Sequence, residues 1–401
     1  MTQRPEAPHK LSRRGPRPLM LHLGLAWMNT KSSCAVSQTL SNVWLNSLTP
    51  SAALDQPALA TLFEAGWQDQ REFIAGVAAY RQSDYVRQLV DPPVIWSEGE
   101  TRLLAYGGEG PSVLFVPSLV NRAYILDLME DGSMMRWLAT QGVRPYLLDW
   151  GWPGAVERHF SLTDYIAGRL ERAMTALQGP VILAGYCMGG LLALAAALRA
   201  QAMGGKVSGL ALLATPWDFH ADNKQAAQRV AEMLPFMEGA LQFSNSLPID
   251  VLNSFFAMID PAGVGEKYRN FAQQDPTSLR ARRFVAVEDW LADGVPLSAF
   301  VARETLAGWY GANSTMRGAW RVAGLAVDPT QLNLPCFCAI PARDKLVPSV
   351  SAYALAQSLR NVRVIEPASG HVGMVAGTQA QTALWEPFRA WVQGLSDESR
   401  R

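Results

Sequence analysis

Three residues of this 401-residue chain have the types, order and surroundings that nucleophilic catalysis needs. The stretch LAGYCMGGLL, residues 183–192, sets Cys187 between Gly185 and Gly189. An apolar run at 181–185 leads in, and an alanine- and leucine-rich stretch follows at once. Cys187 therefore reads as the tip of a strand–turn–helix. A turn this sharp leaves little room for a side chain two residues before or after its tip, and glycine fills both positions. The N-terminus of the following helix favours thiolate over thiol. The backbone N–H of Met188 is then placed to meet a developing oxyanion. Chemically, such a cysteine attacks acyl groups.

A nucleophile of this kind needs a base and an acid, in that setting later in the chain and in the order acid then histidine. Of the five histidines, His9, His22 and His159 precede Cys187, and His220 precedes any loop able to supply the acid. His371, in PASGHVGMVAG, follows the last apolar run and is the expected base. Asp344, in CAIPARDKLVP, is the first carboxylate after the preceding run and the expected acid. A second oxyanion donor should follow the run at 113–116. The backbone N–H of Leu119 or of Val120 is the candidate, and the sequence does not choose between them. Asp149 closes the run at 146–149 and fits a pocket wall and a turn equally well.

The elements that must hold these residues are a series of short apolar runs at 113–116, 146–149, 181–185, 210–215, 336–341 and 362–367. Helix-length segments separate most of them, which predicts a mostly parallel sheet covered on both faces. A hairpin is expected over 94–106, turning at Glu98 and Gly99. Residues 91–216 and 334–401 are thus the expected α/β core. Residues 217–333 lose the alternation and are rich in Phe, Tyr and Trp, so an inserted helical cap over the carboxyl edge of the sheet is expected there. Residues 1–90 form an N-terminal extension, its start unstructured. Within it Leu59, Leu62, Phe63, Trp67, Phe73, Ile74, Val77 and Tyr80 recur at mostly helical spacing, for one or two amphipathic helices.

Composition narrows the function classes. Lys plus Arg and Asp plus Glu both total 35, so no basic surface argues for nucleic acid. The basic-then-apolar segment HKLSRRGPRPLMLHLGLAWM is too short in its apolar part to span a membrane, and a packed or surface-seeking helix in a cytoplasmic protein is expected. Cysteines at 34, 187, 336 and 338 do not form a disulfide framework. Cys336 and Cys338, two apart on one strand, are expected as small core residues. No His or Cys spacing suggests a metal, and no cofactor is expected. Arg280, Arg282 and Arg283 are expected on a solvated face.

Six segments, in order, resemble the polyhydroxyalkanoate synthases, particularly their short two-component classes. They are VPSLVNRAYILDL (116–128), YLLDWGWP (146–153), LTDYI (162–166), GYCMGG (185–190), ARDKLVP (342–348) and SGHVGMVAG (369–377). The resemblance covers roughly residues 90–395 and implies an α/β-hydrolase fold with an inserted helical cap. It implies that Cys187 attacks the thioester of a 3-hydroxyacyl-CoA and that His371 deprotonates the thiol. Asp344 then assists His371 or activates the acyl 3-hydroxyl. The partners it implies are 3-hydroxyacyl-CoA (a substrate, not a cofactor), the growing polyester, a second synthase subunit, a homodimer through the cap and the polymer granule surface. In the family a histidine usually follows the acid, as D-H-x-V-P, whereas here Lys345 follows Asp344. Two other readings use the same residues. One is a cysteine-triad hydrolase, either an intracellular polyhydroxyalkanoate depolymerase or an acyl-CoA thioesterase. The other is a non-catalytic granule-associated relative, against which the complete set of three residues argues.

Overall fold

A computed structural model describes residues 13–28 and 56–398. These fall into two compact units. One contains the described residues up to Val86 together with Phe256–Ala292, and the other contains Arg87–Phe255 and the chain from Asp293 on.

In the first unit α1 (Leu19–Met28) and a single long helix α2 (Gln56–Gln82) pack with the helices Gly263–Ala272 and Leu279–Ala292. Phe73, Val77 and Tyr80 of α2 form one core with Tyr268, Phe271, Ala281 and Val285. A side chain at Gly76 would collide with the Tyr268 carbonyl, so glycine lets the two backbones approach. Glu288 is buried here, accepting hydrogen bonds from the Tyr268 hydroxyl at 2.9 Å and from Lys267 at 2.7 Å. Trp67 and Ile74, expected on the apolar face, are instead 56% and 50% exposed. Ile74 stands about 100° around the helix from Phe73, off the buried stripe. The side chains of Leu59, Leu62 and Phe63 lie outside the described residues, as do Cys34 and His9. Arg280 and Arg282 are exposed, as a solvated face requires, whereas Arg283 is half-buried, with its Nε out of solvent.

The second unit is built on an eight-stranded sheet. Its strands are β1 (Val94–Glu98), β2 (Thr101–Ala105), β3 (Ser112–Val116), β4 (Arg144–Asp149), β5 (Val181–Tyr186), β6 (Val207–Leu213), β7 (Cys336–Ala339) and β8 (Val362–Ile365). The order across the sheet is β1-β2-β4-β3-β5-β6-β7-β8. The β1–β2 hairpin and the β2–β4 pair are antiparallel, and every other pair is parallel. All six residues of β5 are buried, as the continuous apolar run of a strand covered on both faces demands. Cys336 and Cys338 are buried in β7.

Helix α3 (Met188–Met203) follows β5 directly and is buried all round from Met188 to Arg199, which its alanine and leucine content permits. It ends at Gly204, in the left-handed conformation at φ 72° that favours glycine. The chain leaves β3 toward β4 and then returns to lay β5 on the other side of β3. Loops after β3 and β5 therefore diverge, and a crevice opens at their carboxyl ends. Among the described residues no helix is long and apolar enough to cross a membrane.

Candidate active site

Cys187 sits in that crevice, on the turn between β5 and α3, with φ 56° and ψ −128°. A non-glycine residue held there stores roughly 1–3 kcal/mol of strain, which surrounding structure must impose. Its N–H donates to the Leu213 carbonyl at 2.8 Å, extending the β5–β6 ladder by one bond. The three glycines around it allow close packing. A side chain at Gly185 would strike the backbone of Gly189 and Gly190, and one at Gly189 would strike the carbonyls of Val116 and Pro117. A side chain at Gly190, a position the sequence reading did not single out, would strike Thr215. The opening turn of α3 thereby lies against the loop after β3 and the end of β6.

Backbone bonds continue past the ends of the neighbouring strands and fix the other two loops. Ile340 donates to Ile365 at 2.9 Å, Ala342 to Pro367 at 2.9 Å and Arg343 to Ser369 at 3.0 Å. This ladder brings Asp344 and His371 together, with His371 Nδ1 2.6 Å from Asp344 Oδ2. Asp344 Oδ1 accepts the N–H groups of Leu346 at 2.8 Å and Val347 at 2.9 Å, and its side chain is wholly buried. The imidazole of His371, which opens helix α4 (His371–Ala376), lies close enough to Cys187 to feel its charge. Burial pulls the His371 pKa down, but the charge of Cys187 and the bond to Asp344 outweigh it and push the value up to about 10. The acid and base picked from the sequence are thus hydrogen-bonded to each other, with the thiol near enough for its charge to act on the base.

On the opposite wall Met188 opens α3. Of the two candidates after β3, Val120 spends its N–H on Ser118 Oγ at 3.2 Å. Leu119 is buried beside it. Asp149 takes the turn role. Its Oδ1 accepts the Gly151 N–H at 3.1 Å and its Oδ2 pairs with Arg102 at 2.7 Å, while the cavity of about 110 Å³ that it lines with Arg102, Arg122 and Asp127 includes none of Cys187, Asp344 and His371.

Two aromatic residues beside the set escaped the sequence reading. Tyr186 packs its ring 5.1 Å from the imidazole of His371. Tyr310 lies on a π-helical turn (Glu304–Gly311), a rare geometry that recurs at functional sites. Burial, then the charge of Cys187, push its hydroxyl up to about 12. A clamp holds that turn: His220 Nε2 lies 2.8 Å from the Tyr310 carbonyl, the Phe219 ring is 4.9 Å from that of Tyr310, and Asn313 donates to Asp218 at 2.8 Å. His220, set aside as a base, is therefore a structural ligand of this clamp. No spacing in the sequence signals it, because its partners lie about 90 residues apart.

The family model of the alpha/beta hydrolase family matches residues 113–383, and the chain belongs to that family. The fold expected from the sequence is the one observed, a mostly parallel sheet with a helical N-terminal region. Curated relatives that the chain matches include poly(3-hydroxyalkanoate) polymerases, the group that the six segments resemble. The chain is 28% identical to the poly(3-hydroxyalkanoate) polymerase subunit PhaC of Haloferax mediterranei over 319 residues, 76% of this chain and 64% of that relative. It is 28% identical to the subunit of the same name from Allochromatium vinosum over 289 residues, 70% of this chain and 80% of that relative. Among solved structures, a thermophilic esterase from Thermogutta terrifontis aligns with a TM-score of 0.42 at 18% identity, covering 77% of this chain and 99% of its own.

Proposed function

We propose that the protein is a polyhydroxyalkanoate synthase that polymerises 3-hydroxyacyl units from CoA thioesters through a Cys187 acyl enzyme. The observation that carries this reading is a thiol, rather than a hydroxyl, on a strained turn, with its charge felt by a histidine that is hydrogen-bonded to a buried aspartate. A thiolate exchanges with a thioester at little net free energy, so the acyl group is held without being discarded.

His371 takes the thiol proton, and the Cys187 thiolate attacks the thioester carbonyl. The backbone N–H groups of Met188 and Leu119 meet the oxyanion. The carbon–sulfur bond to CoA breaks, and CoA leaves with the proton held on His371. The 3-hydroxyl of the next unit, deprotonated by His371, then attacks the Cys187 thioester. An ester forms, and the Cys187 sulfur recovers its proton. Asp344 keeps the Nδ1 proton of His371 in place so that the other nitrogen faces the sulfur. Alcohol must beat water at the acyl enzyme. Tyr310, near enough to feel the charge of Cys187 and packed against Phe219, supports that requirement by bringing apolar surface toward the site. CoA is substrate in this scheme, and no cofactor enters it. The same reading takes the growing polyester, a second synthase subunit, a dimer through the inserted helices and a cytoplasmic granule surface as the partners of the chain.

The test is incubation of the purified protein with 3-hydroxybutyryl-CoA beside C187A, following CoA, free acid and polymer together. The reading expects CoA release with polymer and neither from C187A. CoA and free acid in equal amounts make the protein a cysteine hydrolase instead. Absence of CoA release, with and without a cognate second subunit, sinks both.

A further inference from the structure

The residue before the nucleophile touches the base at two points. Tyr186 ends β5, its hydroxyl donates to the His371 backbone carbonyl at 3.2 Å, and its ring faces the imidazole at 5.1 Å with the planes 33° apart. Tyr186 itself is buried. We propose that Tyr186 is a positioning residue for His371, its hydroxyl anchoring the start of α4 and its ring stabilising the protonated imidazole that pairs with the Cys187 thiolate. This deepens the proposed chemistry and rests on the Cys187–His371 pair that it assigns.

The physical basis is geometric. An aromatic face attracts a cation lying within about 6 Å of its centroid. A neutral imidazole gains much less, so the ring favours the charged form. The other groups facing His371 are few. Cys187 stands on the turn after β5, and Asp344 on the loop after β7. Tyr310, on the π-helical turn, feels the charge of Cys187. Arg343 and Lys345 flank Asp344 but are exposed, and Arg343 spends its guanidinium on the Ala368 carbonyl. α4 itself carries no titratable side chain besides His371. Tyr186 is thus an uncharged group acting on the imidazole through its face.

The experiment is the pH dependence of Cys187 alkylation by iodoacetamide, read on the Cys187 peptide by mass, with C187A as the blank. It needs no substrate, so it reports on the pair even if no polymer is ever made. In Y186L the thiolate must form without the ring, so its acid limb moves to higher pH. Alkylation below the limb slows by about two- to fivefold. Y186M serves in its place if Y186L does not fold. Y186F keeps the ring and should keep the wild-type limb, while its loss of the anchor slows CoA release about threefold in kcat at unchanged KM. A Y186L limb coincident with wild type overturns the proposal, as does a Y186F limb displaced as far as that of Y186L. Y186F with wild-type kcat overturns the anchoring half.

Discussion

Replacing Asp344 by asparagine isolates one term of the proposed chemistry. The residue keeps its size, and its amide oxygen can still accept the Leu346 and Val347 N–H groups, now at 2.8 and 2.9 Å, so the loop should hold its shape. What changes is the 2.6 Å contact with His371 Nδ1. With the oxygen spent on the loop, the asparagine NH₂ must face Nδ1, donor to donor. The imidazole relieves this by moving its proton to the nitrogen that faces Cys187, and it can then no longer accept the thiol proton. In serine triads the wrong tautomer lowers kcat by about 10⁴. A thiol ionises more readily than a hydroxyl, and a helix N-terminus assists it, so a smaller loss is expected here, about 10²- to 10³-fold. The lost charge-assisted bond alone, at about 1.5–3 kcal/mol, is of the same order. Initial CoA release from 3-hydroxybutyryl-CoA at neutral pH reads the effect directly. D344N turnover within about threefold of wild type, with unchanged thermal unfolding, would refute the claim that Asp344 governs the tautomer of His371.

Four further outcomes follow from the same geometry. The folded-state pKa of His371, about 10, lies above its ordinary 6.5, so the protonated imidazole contributes stability that is complete below 6.5 and lost as pH rises through 10. The stability difference between wild type and H371Q by urea denaturation should therefore shrink across that window. In G189A the new methyl group meets the Val116 and Pro117 carbonyls and pushes away the loop that carries Leu119; CoA release should fall about hundredfold while Cys187 is still alkylated. Iodoacetamide at neutral pH should modify Cys187 and spare Cys336 and Cys338, because burial raises both thiols, that of Cys336 to about 12; peptide mass mapping decides it. Asp127 is almost wholly buried and bound by Arg136 at 2.8 Å, Arg87 at 3.1 Å and the Ser133 hydroxyl at 2.6 Å. D127N should therefore lower unfolding free energy by about 3 kcal/mol, measured by chemical denaturation.

What could be read from the chain and what could not divides along a physical line. In a parallel sheet every strand ends on the same edge, so "first residues after a strand" is at once a statement about sequence and about space. Cys187 after β5, Asp344 after β7 and His371 after β8 were accessible for that reason, and the backbone bonds from Arg343 to Ser369 and from Ala342 to Pro367 convert the order into contact. Nothing of the kind acts on side chains whose partners are chosen by packing. The choice between Leu119 and Val120 turns on where one hydroxyl, that of Ser118, finds its donor. Tyr186 reaches its partner across 185 residues, and Tyr310 depends on a π-helical turn that no periodicity marks. The helical stretch of 217–333 is the extreme case. Its segment Phe256–Ala292 joins the N-terminal helices because Tyr268 can lie against Gly76 and bury its ring beside Phe73 and Tyr80, a match of shapes between distant segments. The chemistry is thus written where topology turns chain order into position, and the environment that tunes it is written in the packing.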